Sequence, residues 1–305
     1  MTIIAGFSSS RQGSAPLNLA AQLAHTTGEK IIAAVVVERA LPAGVDPIED
    51  EYRGFLASRA GAALERVVEQ VRGDLDISTT VHHSSSISHG LMELAGQHGA
   101  DVVVVGSSSS GLLGRIALGS VTERLVHTSK VPVALAPRGY PSSPVPIQRL
   151  TAAYGGAADA VGLVAASAEL ATQWKVQLRI ASFTVQPLPI FAGSFDRSAE
   201  DLVIRQWTSR TMDAAVEQLD AARATISIPD VDVVTGVGAE WRDAVENIAW
   251  ETGDVLLLGS GAAGPMAQVF LGSAASKILR HAPVPVMIMP RRHTPPRRSD
   301  GIIGR

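Results

Sequence analysis

With 305 residues, 46% of them apolar and only 4% aromatic, the chain is long enough for about two domains whose cores are built from Val, Ile, Leu and Ala. A net charge of −3 speaks against nucleic acid as the main partner, and the absence of cysteine excludes a disulfide scaffold, a thiol catalyst and a zinc–thiolate site. No apolar run approaches the ~20 residues that cross a bilayer, and Met1–Gly6 lacks the basic region of a secretion signal, so a soluble cytoplasmic protein with no membrane contact is expected.

The first half opens on the apolar run Thr2–Gly6 and a Ser/Arg/Gly turn from Ser8 to Ser14. Leu17, Ala20, Ala21 and Ala24 form a helical stripe over Ala15–His25, with Pro16 in the first turn. Ile31–Val37 is apolar throughout, as a strand buried on both faces is. After the loop Leu41–Pro47 the pattern predicts a long amphipathic helix near Ile48–Arg72, a strand over Ile77–Val81, and a helix over His89–Gln97 with Ser88 as its N-cap. Asp101–Val105 is a buried strand, Ile116–His127 a helix and Val131–Ala136 the last strand. Gly139–Pro146 is a proline-stiffened linker.

The latter half of the chain repeats the order. Strands are predicted at Leu150–Tyr154, Val176–Thr184, Val231–Thr235, Val255–Leu258 and Val286–Met289. Helices are predicted at Ala158–Gln173, Ala199–Ala224, Arg242–Glu251 and Val269–Arg280. Residues 291–305 are basic and proline-rich and read as a solvated, disordered tail.

The repetition is literal in places. Asp101-Val-Val-Val-Val-Gly106-Ser107 recurs as Asp254-Val-Leu-Leu-Leu-Gly259-Ser260, and Gly111, Gly119-Ser120, Pro132-Val133 and Pro137 recur 153 positions later as Gly264, Gly272-Ser273, Pro285-Val286 and Pro290. Strands alternating with helices imply right-handed crossovers. The fold class is therefore α/β: two tandem doubly wound, Rossmann-like domains, each a five-stranded mostly parallel sheet with helices on both faces. The boundaries fall at 1–140 and 149–290, with 141–148 as linker. The domains are expected to pack back to back about a pseudo-twofold axis, through the edge-like last strands Val131–Ala136 and Val286–Met289. A single continuous sheet would contradict that packing.

The turn Gly106–Gly111, followed by Gly119-Ser120 at a helix start, has the composition of an anion cradle: glycine admits close approach to the main chain, serine donates, and a helix N-terminus favours negative charge. It lies beyond the carboxyl end of a strand, where open parallel sheets bind ligands. A strand-to-helix turn needs Gly and Ser on structural grounds as well. It is neither a P-loop nor a dinucleotide fingerprint.

These residues, with the Val-Thr-Glu-Arg-Leu-Val helix and the Val-Pro-Val strand, resemble the universal stress protein family over nearly the whole chain. The resemblance implies the Gly-x2-Gly-x9-Gly-Ser/Thr pattern of the family's ATP-binding members, which falls on Gly106, Ser109, Gly119 and Ser120 in the first half and on Gly259, Ala262, Gly272 and Ser273 in the other. The second glycine of the pattern is replaced in both. The Asp that helps hold adenosine in the family falls on Ser8 and Gly155. Ser109 resists φ > 0 more than glycine does, and Ala262 puts a methyl group where phosphate approaches. The first half, with Ser8, Ser9, Ser10 and Arg11 facing Ser107–Ser110, is the better candidate for ATP, and the other half reads as its structural partner. The resemblance also implies dimerisation, which a tandem chain makes within itself as an intrachain pseudo-dimer. A further homodimer and an unidentified protein partner stay open.

The remaining candidates read plainly. His82, His83 and His89 lack a zinc spacing, so exposed loop histidines are expected. His127 and His281 are placed to act as cations at helix C-termini. Asp101 and Asp254 cap the loops before their strands. Trp174, Trp207, Trp241 and Trp250 are packing residues. Arg115 is either a solvated helix side chain or a reach toward an anion at the turn. No nucleophile–base set or paired carboxylates support turnover. Two functions remain: an adenine-nucleotide sensor whose occupancy alters a partner surface in the stress response, and a nucleotide-free scaffold with degenerate loops. Weak ATP hydrolysis is a distant third.

Overall fold

The computed structural model describes residues 2–8, 14–39, 47–155, 162–185, 206, 209–210, 213–220, 223, 228, 231–262 and 269–290. The first half contributes β1 (Thr2–Gly6), α1 (Ser14–Thr27), β2 (Lys30–Glu38), α2 (Pro47–Val71), β3 (Ile77–Ser84), α3 (Ile87–His98), β4 (Val102–Gly106), α4 (Ser120–Thr128) and β5 (Val133–Ala136). The other half contributes β6 (Arg149–Ala153), α5 (Leu163–Trp174), β7 (Gln177–Val185), β8 (Val231–Gly238), α6 (Trp241–Glu246), β9 (Asp254–Gly259), β10 (Gly261–Ala262), β11 (Val269–Phe270), α7 (Ser273–His281) and β12 (Val286–Met289). Residues 213–220 are also helical. The expected loop Leu41–Pro47 up to position 46, most of the helix expected over Ala199–Ala224, Trp207 and the tail 291–305 lie outside the described residues.

Strand order is β3-β2-β1-β4-β5 in the first half and β8-β7-β6-β9-β12 in the other, all parallel within each half. The last strands do meet, as expected. They meet as neighbours in one ladder: β5 and β12 pair antiparallel, with Val286 opposite Leu135, Met287 opposite Ala134 and Ile288 opposite Val133. The sheet is therefore a continuous ten-stranded one, and the expected back-to-back packing of two separate sheets is corrected. The reason is physical. Val133–Leu135 and Val286–Ile288 are apolar on both faces, so as two free edges they would leave unpaired N–H and C=O groups beside apolar side chains. Pairing them buries all six residues to 2% exposure or less.

Two cores result, one on each face, and both run through the seam. One holds Ile3, Leu17, Leu23, Ala134, Leu150 and Met287 under α1, α2 and α5. The other holds Ile4, Val103, Leu125, Leu135, Leu256 and Val286 under α3, α4, α6 and α7. Successive residues such as Ile3 and Ile4 enter opposite cores because strand side chains alternate. That explains why the strands read as unbroken apolar runs rather than alternating ones.

The segment between β5 and β6 is docked rather than merely stiff. Asn18 donates from Nδ2 to the Tyr140 carbonyl (2.8 Å), Gln22 from Nε2 to the Val145 carbonyl (2.8 Å), and the Ile147 N–H to Thr26 Oγ1 (2.7 Å). The Tyr140 hydroxyl donates to Gln22 Oε1 at 2.5 Å, and burial pushes the Tyr140 phenol up to about 12. Gln22 is fully buried, a polar side chain kept in an apolar helix face by its two bonds to the linker.

Some predicted limits shift. The N-cap of α3 is Ser86, not Ser88: its hydroxyl accepts the His89 N–H (3.3 Å), while Ser88 is buried. α4 starts at Ser120, because Ala117 is spent on closing the preceding loop. α6 ends at Glu246, and Val269–Phe270 are a strand rather than the start of α7. Lys175 takes the left-handed C-cap conformation (φ 57°) that Gly28 supplies at the same place in the first half (φ 72°).

The two halves anchor their fourth strands differently. Asp101 Oδ2 accepts the N–H of Thr2 (3.0 Å). Asp254 instead accepts from the Arg149 side chain (2.9 and 2.7 Å), from Arg179 (3.4 Å) and from the N–H of Glu251 (2.9 Å), so it does cap the preceding loop. Arg179 is 2% exposed; it also donates to Thr151 Oγ1 and the Ala249 carbonyl and stacks over Trp250 at 5.0 Å. Replacing Asp254 with Ala strands a buried guanidinium beside Arg149. It should lower the unfolding free energy by about 3–5 kcal/mol in a urea titration; a loss below about 1 kcal/mol would contradict this account of the corner.

Candidate functional site

Chain progression runs outward in one direction through β1, β2 and β3 and in the other through β4 and β5. The reversal between β1 and β4 is a topological switch point, where doubly wound sheets open a crevice at their carboxyl ends. Ser8 follows β1 there and is exposed; Gly106 ends β4. Ser9, Ser10 and Arg11 lie outside the described residues.

The turn after β4 is built largely from its own polar groups. Ser107 donates its N–H to Ala136 O (3.0 Å) and accepts the Ala117 N–H at Oγ (2.8 Å), while the Ser108 N–H returns to Ala117 O (2.8 Å). Ser108 Oγ lies 2.9 Å from Ser110 Oγ, and the N–H groups of Ser110 and Gly111 turn back to Ser108. Arg138 donates to Gly111 O at 2.5 Å and exchanges backbone bonds with Gly114 and Arg115. Several donors expected to cradle phosphate therefore close the loop instead. Ser109 is exposed and is not at positive φ, so the expected penalty of a side chain there does not arise; Gly114, at φ 73°, takes the left-handed position of the turn.

Gly119 caps α4 in extended conformation with no side-chain bond, which leaves the first-turn N–H groups of a nine-residue helix for water or a ligand. A Cβ on Gly119 would come within 3.5 Å of Ser108 Cβ, so the loop and the helix start face each other closely. A Cβ on Gly111 would meet Ala117 Cβ at 2.8 Å: this glycine is required by close packing of the loop. The structure thus brings Gly106, Ser107, Ser109, Gly111, Gly119 and Ser120 to one edge of the sheet, beside Ser8. Leu112 and Leu113, exposed by 70% and 77%, form an apolar lip on this turn that residue-type reasoning did not single out.

In the other half the corresponding turn is a different object. Gly261 and Ala262 pair antiparallel with Phe270 and Val269, so the position of Ala262 is a ladder rung rather than part of a cradle. Gly259 ends β9, and Gly272 caps α7 ahead of Ser273 without a side-chain bond. Gly155 is exposed after β6, with no side chain to reach a ligand.

Arg115 follows neither expected course. Its Nη1 donates to the His281 carbonyl (3.0 Å) and its Nη2 pairs with Glu246, so it ties the turn of the first half to α6 and α7 of the other. His281 is not a free cation at a helix end: burial first, then Arg242, Arg115 and Arg280, hold its pKa below the usual imidazole value. His82 and His89 both face Glu93 (2.9 and 3.3 Å), whose pKa is lowered chiefly by the His82 bond. Among the described residues no cluster of three or more His, Asp or Glu has the geometry to hold a metal ion.

The sequence pattern of the universal stress protein family matches residues 1–137 and 146–290. A universal stress protein of Mycobacterium tuberculosis strain H37Rv is 31% identical over 299 residues, covering 95% of this chain and 100% of its own length, and one of Mycobacterium bovis matches equally. The chain belongs to the universal stress protein family. Among solved structures, a universal stress protein from Archaeoglobus fulgidus shares the fold at 17% identity and a TM-score of 0.58, over 95% of this chain and 98% of its own. A functionally unknown protein from Pseudomonas aeruginosa PAO1 does so at 14% and 0.56, over 95% and 92%. A universal stress protein solved in complex with cAMP aligns with 47% of this chain at 22% identity and a TM-score of 0.37, and speaks for that protein's ligand alone. Two universal stress protein domains in tandem thus form an intrachain pseudo-dimer through β5 and β12. No helix among the described residues is long and apolar enough to cross a membrane.

Because Arg115 and Glu246 belong to different domains and are both partly exposed, their pair should be worth about 0.5–1 kcal/mol in a double-mutant cycle of Arg115→Ala and Glu246→Ala. Additive losses would show that the two domains do not meet at this turn.

Proposed function

We propose that this tandem universal stress protein works by binding rather than turnover, in the cytoplasm, and that its first domain (1–140, joined through 141–148 to 149–290) takes an adenine nucleotide at the β1/β4 switch point. One observation carries this reading: the N-terminus of α4 opens under a glycine cap, opposite exposed Ser109 and Ser110, at the edge where Ser8 follows β1. A triphosphate would lie against the first-turn N–H groups of α4 and the hydroxyl of Ser120, stabilised by the helix dipole. Gly106 and Gly119 keep side chains out of its path, and Ser107 and Gly111 hold the loop that faces it. Ser8 and Ser9 would meet the nucleoside in place of a carboxylate. Leu112 and Leu113, on the same turn, are the surface on which occupancy would be read by a protein partner or a second copy of the chain. The second domain, with Gly259, Ala262, Gly272 and Ser273, serves as the structural partner.

A nucleotide-free scaffold is the alternative reading, favoured by the internal hydrogen bonds that the loop N–H groups of Ser107, Ser108, Ser110 and Gly111 already make. Equilibrium dialysis separates the two. ATP at about millimolar concentration should be retained at close to one per chain, and Gly119→Val should weaken it at least ~10-fold by filling the space before α4. No uptake by the unaltered chain would remove the nucleotide reading and leave the scaffold.

A further inference from the structure

The 25-residue helix α2 carries two apolar faces. One is the face expected of a helix on a sheet: Ala57, Ala60, Leu64, Val67, Val68 and Val71 recur at helical spacing and pack over β2 and β3 into one of the two cores. The other points into solvent. Tyr52 and Phe55 are 61% and 56% exposed, and Leu56 beside them is 38% exposed. At 3.6 residues per turn, Tyr52, Phe55 and Arg59 share a stripe about 140° around the helix from the buried one. The chain holds only six Phe and three Tyr, and among the described side chains Tyr52 and Phe55 are the only aromatic ones more than half exposed. A paired, exposed aromatic patch of this kind marks an interaction surface rather than a solvated face. It lies at the far end of the sheet from the seam, on the helix that covers the outermost strand β3.

The charges beside the patch decide what fits it. Glu49 pairs with Arg53 and Asp50 with Arg39, within the chain. Glu51 and Arg59 are exposed, and among the described residues neither makes an ion pair; Arg59 instead stacks over the Phe55 ring at 5.7 Å. The two stand four residues to either side of Phe55. An antiparallel copy of the same helix crossing at Phe55 therefore brings Glu51 of each copy level with Arg59 of the other. It also brings the small, exposed Ser58 level with the other copy's Tyr52. A parallel copy would set Glu51 against Glu51 and Arg59 against Arg59. The surface is thus complementary to itself in one orientation, which is the requirement for a closed twofold dimer. Covering Tyr52, Phe55, Leu56 and the Arg59 stem on both copies would bury roughly 600–800 Å², short of the ~1,200 Å² at which stable complexes begin. The fit is that of a weak dimer governed by concentration.

We propose that α2 is a self-association surface: two copies of this chain pair through antiparallel α2 helices that cross at Phe55, with Tyr52, Phe55 and Leu56 at the apolar centre and a Glu51–Arg59 pair on each side. The molecule then has two joins of different kinds. The β5–β12 ladder inside the chain is permanent, and the α2 contact between chains is reversible. The ion pairs are exposed, so their share weakens with salt. No residue of the glycine-serine turn takes part, so the association needs no nucleotide.

Sedimentation velocity of the full chain tests this. Between about 1 µM and about 500 µM the mean mass should climb from that of one chain toward that of two. Phe55→Glu should weaken association at least ~10-fold. Glu51→Arg and Arg59→Glu should each weaken it several-fold, and the two combined should restore it, because each pair is then re-formed with its charges exchanged. Circular dichroism melts of each variant keep a folding defect distinct from lost pairing. The absence of cysteine allows a test of orientation. A short bis-maleimide should join two copies of Phe55→Cys at least ~10-fold faster than two copies of Ala62→Cys, whose exposed position lies about 21 Å from its mate along antiparallel helices. A chain that stays monomeric across the range, or a combined reversal no better than the single ones, would overturn the proposal. So would an association indifferent to Phe55→Glu, which would assign the contact to another face, or equal cross-linking at positions 55 and 62.

Discussion

The antiparallel pairing of β5 with β12 is the contact on which the rest of the molecule depends. Each strand is only four residues long, and each is apolar on both faces. Neither can serve as a solvent edge. Fully burying a Val, Leu or Ile side chain is worth roughly 1.5–3 kcal/mol, and Val133, Leu135, Val286 and Ile288 reach that burial only when the strands lie side by side. The pairing also merges the cores of the two domains into two layers of packing that cross the seam. A single domain of this kind would need another copy to achieve the same burial; the tandem chain carries that copy covalently.

Once the seam is set, the two domains are free to differ. The first has a serine-lined turn at its switch point, while the second carries a short two-stranded ladder after β9, although both enter the next helix through a glycine with no side-chain cap. The second concentrates charge elsewhere: Asp254 gathers Arg149 and Arg179 where Asp101 merely accepts a backbone N–H. Neither set of differences interrupts the β5–β12 ladder itself. Arg115 connects them, since it springs from the glycine-serine turn of one domain and ends on the helices of the other. The turn and those helices therefore share a direct contact across the seam.

Much of this was legible in the residues. The recurrence of Asp-Val-Val-Val-Val-Gly-Ser as Asp-Val-Leu-Leu-Leu-Gly-Ser placed both fourth strands, and continuous apolar runs signalled strands covered on both faces. What escaped were features set by tertiary partners. Gln22 sits within a stripe of Leu and Ala, and its burial depends on a linker more than a hundred residues away. Arg179, in the middle of an apolar strand, was a visible anomaly, and its partners Asp254 and Trp250 are remote in sequence. The ladder of Gly261–Ala262 with Val269–Phe270 could not be read because strands of two residues are too short to show a periodicity. The edge-to-edge join was missed for a simpler reason: the apolar pattern of a last strand is the same whether it stacks on another sheet or continues it.

Unfolding provides the most direct measure of the seam. All four tryptophans lie in the latter half of the chain, so tryptophan fluorescence follows the second domain, whereas far-ultraviolet circular dichroism follows both. If one sheet and two shared cores join the domains, the two signals should lose their native values together in a single urea transition with one midpoint. A fluorescence transition displaced from the circular dichroism transition, with the first domain melting on its own, would contradict the joined sheet.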